Sequence, residues 1–440
     1  VRDRLLSKLI FVALVVLIVV TAIPYGTVEA WWKAAFICAV FGISIVALIE
    51  TLTKRVERIE GASILLPMLA LSLLAFLQTV SLGARTEADL QVWNTISADP
   101  YQTRFFALQL LALTAFLALL YRYACTESRV RVLVYTVLAI AVASAVFGIL
   151  RHSTQQQTGF ILPLLKQNQG YGQFINKNHF AYLMEMAFGL GLGIILGGVA
   201  RERIMIYVAL LLPIWTGLVL ANSRGGVLAM LAQVIVAALV LISGRSGDYQ
   251  LPKIAQSAVF KSVLLVVLIV GILFGTFWVG GDRLATNFEA ASNELTSSST
   301  RGGASRNEIW RATLRMFAAH PLLGVGLGGY WIGITAYHDA SGLMTPQEAH
   351  NDYLELLSSG GLIGLALGVW FTVAVVRKTR QNLLLSNGYK RAVRIGAVLG
   401  ITGVAAHSLV DFGLHIMTNA TVFIVLIMLA TSRIDVRSEV

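Results

Sequence analysis

Charge is what this chain has least of. Charged residues make up 13% of it, about half of the roughly 25% of a soluble globular domain. Too few polar side chains remain to cover a water-soluble fold of this size. Cysteine is nearly absent: Cys38 falls inside an apolar run and Cys125 in a connecting segment, so no disulfide or metal framework is implied. The ten-residue alternation of a membrane β-barrel is missing. So are a Walker A loop, a dinucleotide fingerprint and an H-E-x-x-H pair.

What is present is apolar length. Hydrophobic residues reach 57%, mean hydropathy is +0.75, and apolar runs of about 18 or more residues recur along the chain. Inside a bilayer the backbone must satisfy its own hydrogen bonds, so these runs are helices. The expected fold is an all-α polytopic membrane protein, a single integral membrane domain over residues 1–440 with about twelve transmembrane helices. The spans fall near 9–26, 31–50, 63–82, 104–122, 131–150, 178–199, 203–221, 225–243, 262–280, 353–376, 393–411 and 416–432. The first run, Leu9 to Ile23, follows Arg2, Arg4 and Lys8 and lacks a small-x-small cleavage site. It reads as the first transmembrane helix, not a signal peptide.

A net charge of +11 invites thoughts of nucleic acid, but the basic residues sit in short clusters between spans, which is a topology signal. With the N-terminus inside, about 22 of the 34 basic residues fall on the inner side, as the positive-inside rule requires. Both termini are then cytoplasmic, and no nucleic-acid partner is expected. The outer side receives the segments 83–103 and 151–177, the turn Ala221 to Arg224, the long segment 281–352 between helices nine and ten, and the last turn Asp411 to His415. The 281–352 segment is too polar to face lipid and too long for a simple connection, so it is expected to fold over the outer mouth as an extracytoplasmic loop subdomain. Within it, Asn307 to Ala319 reads as a helix with Trp310, Leu314 and Phe317 on its apolar face and Arg311 and Arg315 on another. Ser305 is the expected N-cap, with Glu308 three residues on.

Polar residues gather at the outer ends of the spans. Arg306 opens the loop helix, with Arg301 before it and Arg311 and Arg315 along it. Guanidinium forks match phosphate oxygens bidentately, although Arg311 and Arg315 equally suit contact with lipid headgroups. Arg224, after Ala221-Asn222-Ser223 and before Gly225-Gly226, stands between two spans with almost no loop, where an arginine is costly unless it faces a wet cavity. His350 lies where the loop returns to the membrane, and an imidazole there can take a proton from a hydroxyl at neutral pH, with Glu348 or Asp352 orienting the ring. Asn176, Lys177, Asn178 and His179 open the sixth span as a site for anions or sugar hydroxyls, with helix capping by Asn178 as the structural alternative. His407, Asp411 and His415 recur at i, i+4, i+8, as metal ligands or a polar bundle seam would on one helical face.

Taken in order, Asn176-x-Asn178-His179-Phe180-Ala181, Ser223-Arg224-Gly225-Gly226, Arg306-x-x-x-Trp310, His320-Pro321-Leu322-Leu323-Gly324-x-Gly326, His350-Asn351-Asp352-Tyr353-Leu354, Gly360-Gly361-Leu362-Ile363-Gly364 and His407-Ser408-Leu409-x-Asp411-Phe412 resemble the O-antigen ligase and Wzy-type polymerase superfamily. The resemblance covers residues 170–430; the first five spans match only as hydrophobic helices. It implies a glycosyltransferase of the bacterial inner membrane working on the periplasmic face. Such enzymes move a glycan from an undecaprenyl-pyrophosphate carrier to the lipid A core, in ligases, or to another carrier-linked glycan, in polymerases, with no nucleotide sugar, cofactor or metal. The family's catalytic histidine and pyrophosphate-binding arginines map to His350, Arg224 and Arg306. His350 would then deprotonate the acceptor hydroxyl and transfer would invert the anomeric carbon. Asn176, Lys177, Asn178, His179, Arg301, Arg311, Asp352, His407 and Asp411 are the further substrate-binding candidates. Two other readings stand beside this one. A transporter, of bicarbonate or of glycan, would be expected to show internal symmetry and midplane polar residues. A lipid-II-type peptidoglycan polymerase would use Asp352 or Asp411 as its base.

Overall fold

A computed structural model of the chain describes residues 2–53, 61–81, 94–154, 162, 164–166, 170–197, 201–242, 306–338 and 345–434. The span expected at 262–280 lies outside the described residues, as do Arg301, the proposed cap Ser305 and the whole of the expected loop before Arg306. The described residues form α1 (Arg2–Ala22), α2 (Ala30–Thr53), α3 (Ala62–Gln78), α4 (Pro100–Tyr123), α5 (Glu127–Ser153), α6 (Lys177–Leu196), α7 (Arg201–Leu220), α8 (Arg224–Ile242), α9 (Arg306–Ala319), α10 (Asp352–Leu384), α11 (Gly388–His407) and α12 (Met417–Thr431). There is no strand among them beyond two isolated bridges.

Seven described helices, α1, α2, α4, α5, α6, α7 and α10, are long and apolar enough to cross a membrane; α3, most of α8, and α12 are shorter apolar helices. The expected count of about twelve thus narrows to seven by length and apolarity among the described residues. One reason is visible in α11, which carries Lys390, Arg391 and Arg394 in its first two turns. The Arg394 guanidinium is buried there and donates to the Ser386 hydroxyl at 2.6 Å and to the Ser432 carbonyl.

At the centre, α6 and α11 meet backbone to backbone. Gly189 and Gly193 stand four residues apart on α6, with Gly197 four further on as its C-cap, and Gly396 and Gly400 stand four apart on α11. A Cβ on Gly189 would lie 2.5 Å from the Gly400 nitrogen, and one on Gly193 would collide with Gly396. Small residues at this spacing let membrane helices approach closely where lipid offers no hydrophobic drive for association. The contact fixes the first turns of α6 beside the last turns of α11, where the polar residues lie.

A second device sits in α10. The helix breaks at Gly361, whose φ of 63° and ψ of −165° no L-residue adopts comfortably. The backbone groups freed by the break are satisfied by the segment 321–326. Leu362 and Ile363 N–H groups donate to the Pro321 and Leu322 carbonyls at 2.8 and 3.2 Å. The Ser358 and Ser359 carbonyls accept from Val325 and Gly326 at 3.1 and 3.0 Å. The buried Gln78 amide of α3 donates to the Leu323 and Ser359 carbonyls and accepts from the Leu327 N–H. Irregular backbone at membrane depth is tolerated only when other protein groups satisfy it in this way. Two sequence motifs, the one starting at His320 and the diglycine at Gly360, are therefore the two halves of one joint.

The loop helix α9 forms where expected, but its inward face is Ile309, Ala312, Thr313 and Met316, and Leu314 points outward at 47% exposure. The sequence face of Trp310, Leu314 and Phe317 is overturned because α9 packs against the short turn Tyr330–Gly333. Thr313 and Tyr330 share a hydrogen bond at 2.7 Å there.

The joint at Gly361 is directly testable. Gly361→Ala forces a strained backbone and drives a methyl group into the Leu322 carbonyl, which should cost about 1–3 kcal/mol and lower the Tm of the purified protein in detergent. Gly360→Ala meets first the Leu327 Cδ2 at 3.2 Å and has no such φ, so its Tm should fall less. Equal Tm values for the two would contradict the joint.

Candidate active site

Three of the helices that begin on a cation meet at one place: α6 on Lys177, α8 on Arg224 and α9 on Arg306. A positive charge at the positive end of a helix dipole is the unfavourable choice. The three ends converge on one hydrogen-bonded network. Asn176, not Asn178, caps α6, its side chain accepting from the Asn178 N–H at 2.9 Å. That leaves the Asn178 amide to bridge: it donates to Asp411 Oδ2 and accepts from the Ser223 hydroxyl at 2.9 Å. Ser223 in turn accepts from the Gly226 N–H at 3.1 Å, within the first turn of α8. Lys177 Nζ donates to the Asn222 carbonyl at 2.9 Å and lies close enough to Arg224 to feel its charge. The Arg306 guanidinium reaches to 3.9 Å from Asp411 Oδ2.

His350 completes the group. Its Nδ1 is buried, 3.6 Å from Asp411 Oδ1, and its side chain is 34% exposed. Asp411, from 61 residues downstream in the numbering, is the carboxylate beside the ring. Glu348 and Asp352, the sequence candidates, are engaged elsewhere: Glu348 with His415 at 3.3 Å, and Asp352 with the Ser408 hydroxyl at 2.6 Å. His350 also sits in the left-handed region, φ 51°, unusual for a residue with a side chain. The next residue holds it there. Asn351 caps α10, accepting from the Tyr353 and Leu354 N–H groups at 3.0 Å, and donates to the Leu409 carbonyl at 2.9 Å. Trp310 of α9 donates to the Ala349 carbonyl at 3.0 Å and ties the loop helix to the same segment.

Asp411 is 1% exposed. Burial alone would raise its pKa, but His350, the nearby imidazoles of His407 and His179, and the Phe412 N–H outweigh burial and hold it below the usual carboxylate range. It stays an anion.

The expected single helical face of His407, Asp411 and His415 does not exist. Helix α11 stops at His407, whose carbonyl takes the Val410 and Asp411 N–H groups at 2.9 and 3.1 Å before the chain turns. His407 is fully buried against Glu185, Asp411 faces His350, and His415 belongs to a separate cluster. The Phe412 ring at the turn is met edge-on by His179, His350 and His415, at centroid distances of 5.0, 4.9 and 5.9 Å. His179 is buried behind that ring, and Arg311 is exposed on α9, so neither joins the network. Sequence reasoning missed Phe412 and Glu185. A carboxylate in the apolar run of α6 was signal enough for Glu185.

The His415 cluster is the group able to hold a metal among the described residues, with ligand atoms of Glu348, Glu355 and His415 within 4.8 Å of one another. The imidazole already supplies a cation there. Burial works against its charge, but Glu348, Glu355 and Asp352 overcome it and raise the pKa to about 10. Burial likewise opposes the Glu348 carboxylate, yet His415 and its other partners bring it down to about 2. The signs follow by linkage. The histidine's contribution is full below its ordinary 6.5 and is lost as pH rises toward 10. The glutamate's is full above 4.5 and is lost as pH falls toward 2. The purified protein should therefore lose Tm steadily above pH 6.5, and His415→Gln should flatten that alkaline limb. An unchanged alkaline slope in the variant would contradict the pairing.

The arrangement offers an excess of positive charge for an anion, and beside it an imidazole backed by a carboxylate. Against known proteins, residues 207–369 match the family model described as O-Antigen ligase. No curated protein matches the chain. The matched region contains Arg224, Arg306 and His350, while α6 and Asp411 are brought to it by the fold. Residues 207–369 of this multi-helix membrane protein thus carry a match to the O-antigen ligase domain, in support of the O-antigen ligase and Wzy superfamily.

Proposed function

We propose that the protein is an inverting glycosyltransferase that moves a glycan from an undecaprenyl-pyrophosphate carrier to an acceptor hydroxyl, on the periplasmic face of the bacterial inner membrane. The observation that carries this reading is the convergence of three cation-first helix ends on the carboxylate that lies beside His350. Helix N-termini bind phosphate well, and cations at those ends gain most when an anion sits among them.

The chemistry follows from the groups in place. His350 takes the proton of the acceptor hydroxyl, and that oxygen attacks the anomeric carbon from the face opposite the carrier. The bond from anomeric carbon to pyrophosphate oxygen breaks, and its electron pair leaves with the pyrophosphate. Arg224 and Arg306, with Lys177 beside Arg224, stabilise the charge that builds on that leaving group. Asp411 orients the imidazole and stabilises the imidazolium until the proton passes to water. Pyrophosphate leaves without protonation, so the paired carboxylic acid of glycoside hydrolysis is not required. Ligases and polymerases differ in the acceptor, lipid A core or carrier-linked glycan, and share these steps.

A carboxylate base, as in the lipid-II-type reading, finds less support. Asp352 and Asp411 are 15% and 1% exposed and both are already engaged in hydrogen bonds.

His350→Ala should lower transfer by roughly 10²–10⁴-fold while undecaprenyl-pyrophosphate-glycan binding persists. Arg224→Ala should cost about 10²–10³-fold and weaken binding of the carrier as well. Both are read with purified protein, the carrier-linked glycan and an acceptor. Near-normal transfer by His350→Ala sinks the base assignment, and near-normal transfer by Arg224→Ala sinks the phosphate assignment.

A further inference from the structure

Glu185 and His407 form a buried pair that the transfer chemistry leaves unused. Both side chains have no exposure, and His407 Nδ1 lies 2.8 Å from Glu185 Oε2. Ionisable groups in a membrane interior are costly and mark function by default. The imidazole is held on two sides. Glu185 takes one edge, and the Tyr182 ring stacks on its face with centroids 4.1 Å apart and planes at 18°. Tyr182 is itself pressed against Gly413, where any Cβ would collide with the ring. The remaining edge, Nε2, has no hydrogen-bond partner and is directed at the first turn of α8, where a Cβ on Gly225 would collide with it. Gly225 directly follows Arg224.

We propose that His407 is a positioning residue for Arg224: fixed by Glu185 and Tyr182, its ring is the floor on which the first turn of α8 rests. This rests on the reading of Arg224 as a pyrophosphate ligand. An imidazole suits the task better than an aliphatic side chain, because the bond from Nδ1 to Glu185 prevents rotation and so defines one contact height. With the Nδ1 proton directed at Glu185, Nε2 presents a lone pair to the positive end of α8, which is favourable. Ser223 and Asn178 hold the other side of the same turn. The guanidinium is thereby set relative to Asp411 by contacts on both sides of its own backbone. Displacing such a group by about 1 Å can cost about 10²-fold in rate.

The test is a suppressor pair in the full-length protein, with kcat and KM measured separately for undecaprenyl-pyrophosphate-linked glycan and for acceptor. Gly225→Ala pushes α8 off the ring and should lower kcat/KM for the donor by about 10–10²-fold, with acceptor KM unchanged. Adding His407→Asn keeps an amide N–H toward Glu185 but withdraws the far edge of the ring, so the double variant should recover most of the loss. In an Arg224→Ala background, Gly225→Ala should add little further donor loss, since the two act through one group. A merely structural lesion would instead reduce the active fraction and lower kcat with both KM values unchanged. If Gly225→Ala also lowers Tm, the double variant must restore both Tm and donor kcat/KM; recovery of Tm alone overturns the proposal. So does wild-type donor kcat/KM in Gly225→Ala, or a double variant as impaired as the single. Full transfer by Arg224→Ala overturns both this inference and the phosphate reading beneath it. A failed suppression with Arg224→Ala inactive overturns this inference only.

Discussion

The Asp411 carboxylate accepts from the Asn178 amide and the Phe412 N–H, and it lies 3.6 Å from His350 and 3.9 Å from Arg306. Those partners come from α6, from the turn after α11, from the segment before α10, and from α9. Truncating a buried group of this kind strands its partners, and a stranded charge costs far more than a lost contact. The local charge balance gives the site its character. Lys177, Arg224 and Arg306 stand against one carboxylate, at helix ends that are themselves positive. Asp411 neutralises the group only in part, and the excess suits a ligand carrying several negative oxygens.

Such a network holds its geometry only if the helices beneath it cannot slide. The glycine contact between α6 and α11 removes that freedom at the centre, because backbone meets backbone with no side chain left to repack. The break in α10 does the same at the rim. There, the segment 321–326 completes the hydrogen bonds of an interrupted helix, so that segment and the helix that follows His350 form one body. Both devices lie outside the chemistry, and both fix where His350 and the three cations stand.

Much of the fold was legible because hydropathy reports burial in lipid directly; eleven of the expected spans fall on described helices. Residues with chemistry were legible for the complementary reason: polar groups are rare here, and those at helix ends stand out. What sequence could not supply was partnership. Nothing in local spacing pairs His350 with Asp411 in preference to Glu348 or Asp352, since that pairing comes from the turn after α11. Nor was the end of α11 readable, because Leu409, Val410 and Phe412 continue the apolar run past the last helical residue. Asn176 and Asn178 are equally competent caps by composition; the choice is made by Asp411 and Ser223, which claim the second amide. The inward face of α9 was misassigned because its neighbour, the turn at Tyr330, is far from it in pattern though near in space.

The central claim is direct displacement of the carrier by an acceptor oxygen that His350 deprotonates, with Arg224 and Arg306 taking the charge. The most direct measurement is the anomeric configuration of the product. Purified protein in lipid nanodiscs would be given an undecaprenyl-pyrophosphate-linked glycan of known configuration and an acceptor, and the new linkage assigned by NMR. An inverted linkage, with undecaprenyl pyrophosphate released in equal amount, is the predicted result; a retained linkage, or glycan trapped covalently on the protein during turnover, would contradict it.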